Sequence, residues 1–161
     1  MNTYDKPNPN KTKELIMTAA GAMFGIGGVA WLAHYTSLPF IIAPFGASAV
    51  LLYSAVSSPL AQPRNLAGGH IISAVIAISC CRVLGNDWYV MALAVTLAIL
   101  AMMATETVHP PGGATALLCI LQNTTSYSFL VYLCAGIVIL LVSALLSARI
   151  FPGVRPYPKK G

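Results

Sequence analysis

Residues 15–35 run for 21 positions without a Lys, Arg, Asp or Glu. As a helix this stretch is about 31 Å long, enough to cross the hydrocarbon core of a bilayer. Residues 66–84, 88–105 and 129–150 are apolar runs of similar length, and Trp88 and Tyr89 open one of them as interfacial anchors. Of the 161 residues 57% are hydrophobic and 8% charged, against roughly 25% charged in a soluble domain. A soluble fold exposing so much apolar surface would aggregate. The expected class is therefore all-α integral membrane, with four long transmembrane helices.

The basic residues concentrate at the ends. Lys6, Lys11 and Lys13 precede the first run, and Arg149, Arg155, Lys159 and Lys160 follow or close the last. The net charge of +5 reads as two tails, 1–13 and 152–161, lying against anionic headgroups. No folded polar surface is left for a nucleic-acid interface. Between the tails a single transmembrane domain is expected over 14–151, with no appended soluble module. No cleavable signal peptide is evident, since the first run is too long for one. Cys80, Cys81, Cys119 and Cys134 all sit in apolar runs without CxxC spacing, so they read as packed apolar side chains. No cofactor or metal is expected, and no Ser/His/Asp or Cys/His arrangement points to an enzyme.

Two stretches break the apolar pattern. Residues 38–56, "LPFIIAPFGASAVLLYSAV", contain Pro39 and Pro44; residues 105–118, "TETVHPPGGATALL", contain Glu106, His109, Pro110, Pro111, Gly112 and Gly113. Proline discourages helix before it and suits the first helical turn. Each stretch is therefore expected to start a half-helix, the first at about 44–56 and the second over about a dozen residues ending at 122. Offset by 67 residues the two coincide: Pro44, Gly46, Ala47, Ala49 and Leu51 match Pro111, Gly113, Ala114, Ala116 and Leu118, and Ser48 faces Thr115. The long runs follow the same offset. The chain thus reads as an internal repeat with halves about 14–84 and 85–151, each a long helix, a broken element and a long helix. If the broken elements cross the membrane, the halves are inverted, as in many transporters; if they re-enter, the halves are parallel. The crossing arrangement is favoured, because six extended residues and a 12-residue helix together cover about 38 Å. Either layout puts both basic termini on the cytoplasmic side.

A helix N-terminus offers unpaired N–H groups and partial positive charge, which suits an anion. Pro44–Ser48 and Pro111–Thr115 are the expected binding segments, with Gly46, Gly112 and Gly113 admitting close approach and Ser48 and Thr115 supplying hydroxyls. Four ionisable residues surround them in sequence. Arg64 can hold an oxyanion or snorkel to headgroups. His70 can titrate near neutrality or pack as a satisfied helix histidine. Glu106 and His109, neighbours on a helical turn, can carry a proton or form a structural cap.

With "PFGASAVLLYSAVSSPLAQPRN", "GGHIISA" and "ETVHPPGGATALL", spanning roughly residues 38–121, the sequence resembles the HPP family of integral membrane proteins, named for a triplet found here as His109-Pro110-Pro111. The resemblance implies a core of four spanning helices, and it places Arg64, His70, Glu106, His109, Pro110, Pro111, Gly112 and Gly113 at family motif positions. Plastid and cyanobacterial members are associated with nitrite transport. The leading expectation is a transporter or channel for a small inorganic anion, nitrite first, in a bacterial inner membrane. The alternatives are a neutral-solute channel or a non-transporting scaffold or accessory subunit. Partners expected are the small anion, the lipid bilayer and a second copy of the chain. On this reading, bulk at Gly113 abolishes transport without unfolding the protein; normal uptake by a folded Gly113→Leu variant would count against it.

Overall fold

The computed structural model describes residues 11–38, 41–150, 157 and 158. Pro39, most of the two tails and their charges at Lys6, Arg155, Lys159 and Lys160 lie outside the described residues. The fold is all-helical: α1 (Lys11–Thr36), α2 (Ile42–Ser54), a 3-10 turn (Pro59–Ala61), α3 (Pro63–Leu84), α4 (Trp88–Ala104), α5 (Pro110–Leu121) and α6 (Phe129–Ile150). Three of these, α1, α3 and α6, are long and apolar enough to span a membrane. The fourth expected long helix, α4, has 17 residues, about 26 Å, a little short of the hydrocarbon thickness.

The broken stretches fold as short helices where the prolines permit them. In α2, Pro44 is the third residue after the Ile41 cap; in α5, Pro110 and Pro111 are the first two residues after the His109 cap. Three boundaries differ from the sequence reading. The first short helix, α2, starts at Ile42 and ends at Ser54, two residues ahead of the expected bounds at each end. Lys11 and Lys13 belong to α1 rather than to a tail. Arg64 lies in the first turn of α3, because Pro63 opens that helix as its first residue.

Side-chain contacts fix the helix directions. Gly21 meets Ser147, and Gly28 meets Ile139, so α1 and α6 are antiparallel. The end of α2, at Tyr53, returns to Thr18 near the start of α1. Gly69 meets Gly112 and Cys81 meets Asn123, so α3 and α5 are parallel. Gly68 meets Thr107 and Ser73 meets Met102, so α4 runs back along α3. Tyr157, beyond α6, donates to the Ala61 carbonyl at 3.0 Å, which ties the start of α3 to the end where α6 finishes. Successive helices therefore alternate in direction, and α1 begins at the end of the bundle where α6 stops.

The bundle is apolar outside, and its interior mixes large apolar side chains such as Phe45, Leu66 and Leu133 with small and polar ones. Phe24, Trp31, Val83, Trp88, Met103 and Val131 are all exposed, a surface suited to lipid rather than water. Inward-facing residues recur at every fourth position, Met17, Gly21, Gly25, Val29 and Ala33 in α1 and Val90, Ala94, Ala98 and Met102 in α4. Small side chains on such a stripe let helix backbones approach closely. Between α3 and α5 the approach is backbone to backbone. A Cβ added at Gly112 would stand 2.7 Å from the Gly69 carbonyl oxygen and 2.9 Å from its carbon, and backbone cannot swing aside.

Steric constraint thus falls on Gly112 and not on Gly113. A Cβ at Gly113, or at its repeat counterpart Gly46, meets nothing within 4 Å. Gly113 lines a groove of about 420 Å³ between α4 and α5 with Ile99, Met102 and Pro110. Gly112→Ala is expected to cost about 1–3 kcal/mol through forced helix separation. Gly113→Ala is expected to be neutral or to gain up to about 1 kcal/mol of helix propensity. Thermal unfolding in detergent checks the pair; equal midpoints would contradict the close crossing.

Candidate functional site

His70 and His109 are both fully buried, although hydrocarbon offers a ring nitrogen no partner. Each finds its partners in protein. His70 projects from the N-terminal half of α3 between two hydroxyls: its Nε2 is 2.8 Å from Ser48 Oγ on α2, and its Nδ1 is 2.7 Å from Thr115 Oγ1 on α5. His109, at the cap of α5, has Nε2 at 2.8 Å from the same Ser48 Oγ and Nδ1 at 2.8 Å from the Leu60 carbonyl oxygen. The two rings stand edge to face with centroids 5.0 Å apart, and Phe45 covers His70 from α2, also at 5.0 Å.

Chemistry orders this chain. A backbone carbonyl only accepts, so His109 carries its proton on Nδ1 and presents a lone pair at Nε2. Ser48 then donates to His109 and must accept from His70, whose proton sits on Nε2. The remaining lone pair on His70 Nδ1 takes the Thr115 hydroxyl proton. Every group is satisfied with both histidines neutral. Each hydroxyl also has a second acceptor four residues back, Pro44 O for Ser48 at 3.1 Å and Pro111 O for Thr115 at 3.4 Å. Ser48 and Thr115, like Pro44 and Pro111, are partners at the 67-residue offset, so matched positions clasp a single imidazole from opposite sides.

Local structure brings these groups together. The 3-10 turn, capped by Ser58 accepting from the Leu60 N–H at 3.2 Å, aims the Leu60 carbonyl at His109. Gln62 Nε2 holds the preceding turn through Val56 O and Ser58 O, both at 2.9 Å. In the first turn of α3, Arg64 donates to Thr105 O and Asn65 to Val108 O, each at 2.9 Å. These bonds pin residues 105–108. Gly68 and Gly69 leave room for Thr107 and for the Cβ of His109.

The remaining expected site residues are placed elsewhere. Arg64 and Glu106 have largely exposed side chains and face each other at 3.8 Å, away from the histidines. Glu106 is not a helical neighbour of His109. It terminates α4 at a φ of 55°, with Glu106 N–H bonded to Met103 O and Thr107 N–H to Met102 O, the left-handed cap usually given to glycine. At the start of α5, Pro110 and Pro111 have no N–H, and the Gly112 N–H donates to His109 O at 2.8 Å. That terminus presents the His109 side chain in place of the expected N–H cradle. Phe45, Leu60 O and Asn65 escaped the sequence reading. Asn65 alone left a signal, as a polar residue beside Arg64 in the link between apolar runs.

The fold and its centre define a helical integral membrane protein with an apolar exterior and a buried polar core. The chain belongs to the family described as "HPP, transmembrane region", whose model matches residues 7–158. It is similar to two proteins of Dictyostelium discoideum, each described as a transmembrane protein. One is 41% identical over 127 residues, covering 74% of this chain and 40% of the relative. The other is 40% identical over 141 residues, covering 79% of this chain and 49% of the relative. The chain thus spans less than half the length of either curated relative. Both are Dictyostelium proteins, which lends no support to the expected bacterial inner membrane. No solved structure matches the chain.

Ser48→Ala strands the Nε2 atoms of both histidines and is expected to cost about 1–3 kcal/mol. Glu106→Gly is expected to preserve or raise stability, since glycine suits its backbone angle. Unfolding midpoints of the two variants in detergent check this; a loss as large in Glu106→Gly as in Ser48→Ala would place the stabilising interaction in the exposed ion pair.

Proposed function

We propose that the protein moves a small inorganic anion across a membrane together with a proton, with nitrite as the first substrate to test. The observation that carries this reading is the neutral histidine–hydroxyl chain buried where the two broken elements meet. In that interior an isolated anion would leave water without a compensating charge, which is costly. An anion accompanied by a proton crosses with no net charge. Arg64, expected to bind the anion, instead pairs with Glu106 at the surface. The family's association with nitrite, carried by its plastid and cyanobacterial members, gives the substrate class.

The topology that fits is an inverted repeat with all six helices crossing. Shifting α2 by 67 residues gives 109–121, beside Pro110–Leu121, and shifting α3 gives 130–151, beside Phe129–Ile150. Alternating helix direction supports inversion. Lys11, Lys13, Arg64 and Arg149 fall at one end of the bundle, with Arg82 at the other, so that first end is assigned to the cytoplasm.

The test is uptake by purified protein in liposomes. Nitrite accumulation is expected to exceed that of nitrate, formate and chloride, and to rise when the external side is made more acidic. Selective nitrite flux indifferent to the pH gradient would remove the proton. No anion flux from folded protein would move the assignment to a neutral-solute channel or an accessory subunit.

A further inference from the structure

The geometry points to a single excess proton shared between His109 and His70 through the Ser48 hydroxyl. In the resting chain His109 is protonated on Nδ1 and His70 on Nε2, as the Leu60 carbonyl dictates. An added proton has two places to go. It can bond to Nε2 of His109, whereupon the Ser48 O–H turns from that nitrogen to Pro44 O, 3.1 Å away, and the Ser48 oxygen accepts from both rings. Alternatively it can bond to Nδ1 of His70, whereupon the Thr115 O–H turns to Pro111 O, 3.4 Å away, and the Thr115 oxygen accepts. Each state keeps every polar atom paired and needs only a hydroxyl rotation.

Transfer between the rings is also balanced. With the proton on His70, its Nδ1–H donates to Thr115 and its Nε2–H to Ser48, whose own O–H points to His109 Nε2. The His70 Nε2–H bond then breaks as that proton joins Ser48 Oγ, and the original Ser48 proton passes to His109 Nε2. His109 becomes the imidazolium, with its Nδ1–H on Leu60, and His70 is left neutral in its Nδ1–H form. Ser48 ends as it began, a hydroxyl.

Two protons do not fit. The ring centroids are 5.0 Å apart, and two cations at that separation in an apolar interior repel strongly. Among the described residues no carboxylate bonds to either ring. The titratable groups on the surrounding helices are Tyr53 on α2, Tyr89 on α4, Cys119 on α5, and Tyr132, Cys134 and Arg149 on α6; none of them bonds to either histidine, whose partners are Ser48, Thr115 and Leu60. The pair therefore titrates as one unit, and among the described residues no acidic side chain bonds to either ring to balance its single positive charge. A bound anion supplies that balance. This coupling rests on the transport reading; the shared proton does not.

Nitrogen-15 spectra of the imidazole rings, recorded on the full chain in lipid nanodiscs across pH, test the proposal, with His34→Gln removing the one other histidine. The expected result is opposite tautomers at neutral pH, uptake of one proton per molecule by the two rings, and exchange between them that Ser48→Ala abolishes. Identical tautomers, or two independent protonations, would overturn it. Sodium nitrite is expected to shift the uptake to higher pH, because the anion stabilises the cationic form, whereas sodium chloride at equal ionic strength does not. Opposite tautomers and a shared proton without nitrite shift or liposomal flux would leave the proton pair standing and sink the transport reading. Nitrite flux with identical tautomers would do the reverse.

Discussion

A ring nitrogen at bilayer depth must find its hydrogen-bond partner in protein, and this constraint organises the bundle around the Leu60 carbonyl. That one acceptor sets the tautomer of His109, and the order then propagates through Ser48 and His70 to Thr115. The elements that contribute are spread along the chain: α2, the 3-10 turn, α3 and the cap of α5. None can be displaced without leaving a buried polar atom unpaired, which costs more than an ordinary hydrogen bond is worth. The glycines at 68, 69 and 112 serve the same end, since the chain closes only if α3 and α5 nearly touch.

Much of this was legible in the sequence because proline acts locally. Pro44 and the Pro110–Pro111 pair remove donors and fix φ whatever surrounds them, so the two short helices could be read directly. The 67-residue match paired Ser48 with Thr115 before any contact was known. Exposed apolar side chains and interior small ones follow from composition once the solvent is lipid.

What could not be read depends on rotation about helix axes and on backbone state. Gly112 and Gly113 are adjacent, and only the packing of α5 on α3 decides which one meets Gly69. Glu106 looked like a proton carrier because it is an acid in an apolar run, yet its left-handed backbone carries it to the surface beside Arg64. Pro63 begins α3 one residue ahead of Arg64 and so converts an expected ligand into a clamp on Thr105. At α5 the reading that a helix N-terminus receives an anion overlooked the prolines' own chemistry: Pro110 and Pro111 start the helix well and also remove two of its first N–H groups.

The two crossings at the centre are built differently. Gly69 and Gly112 bring α3 and α5 together backbone to backbone, whereas at the matching positions Gly136 of α6 receives the ring of Phe45, which a Cβ at Gly136 would meet at 2.5 Å. One seam is welded and the other is shimmed. A backbone contact has no rotatable bond to give way, but a phenyl ring can swing about χ1 and χ2. Any opening of the bundle therefore has its weak side at α2 and α6, and the shim that must move already rests against His70.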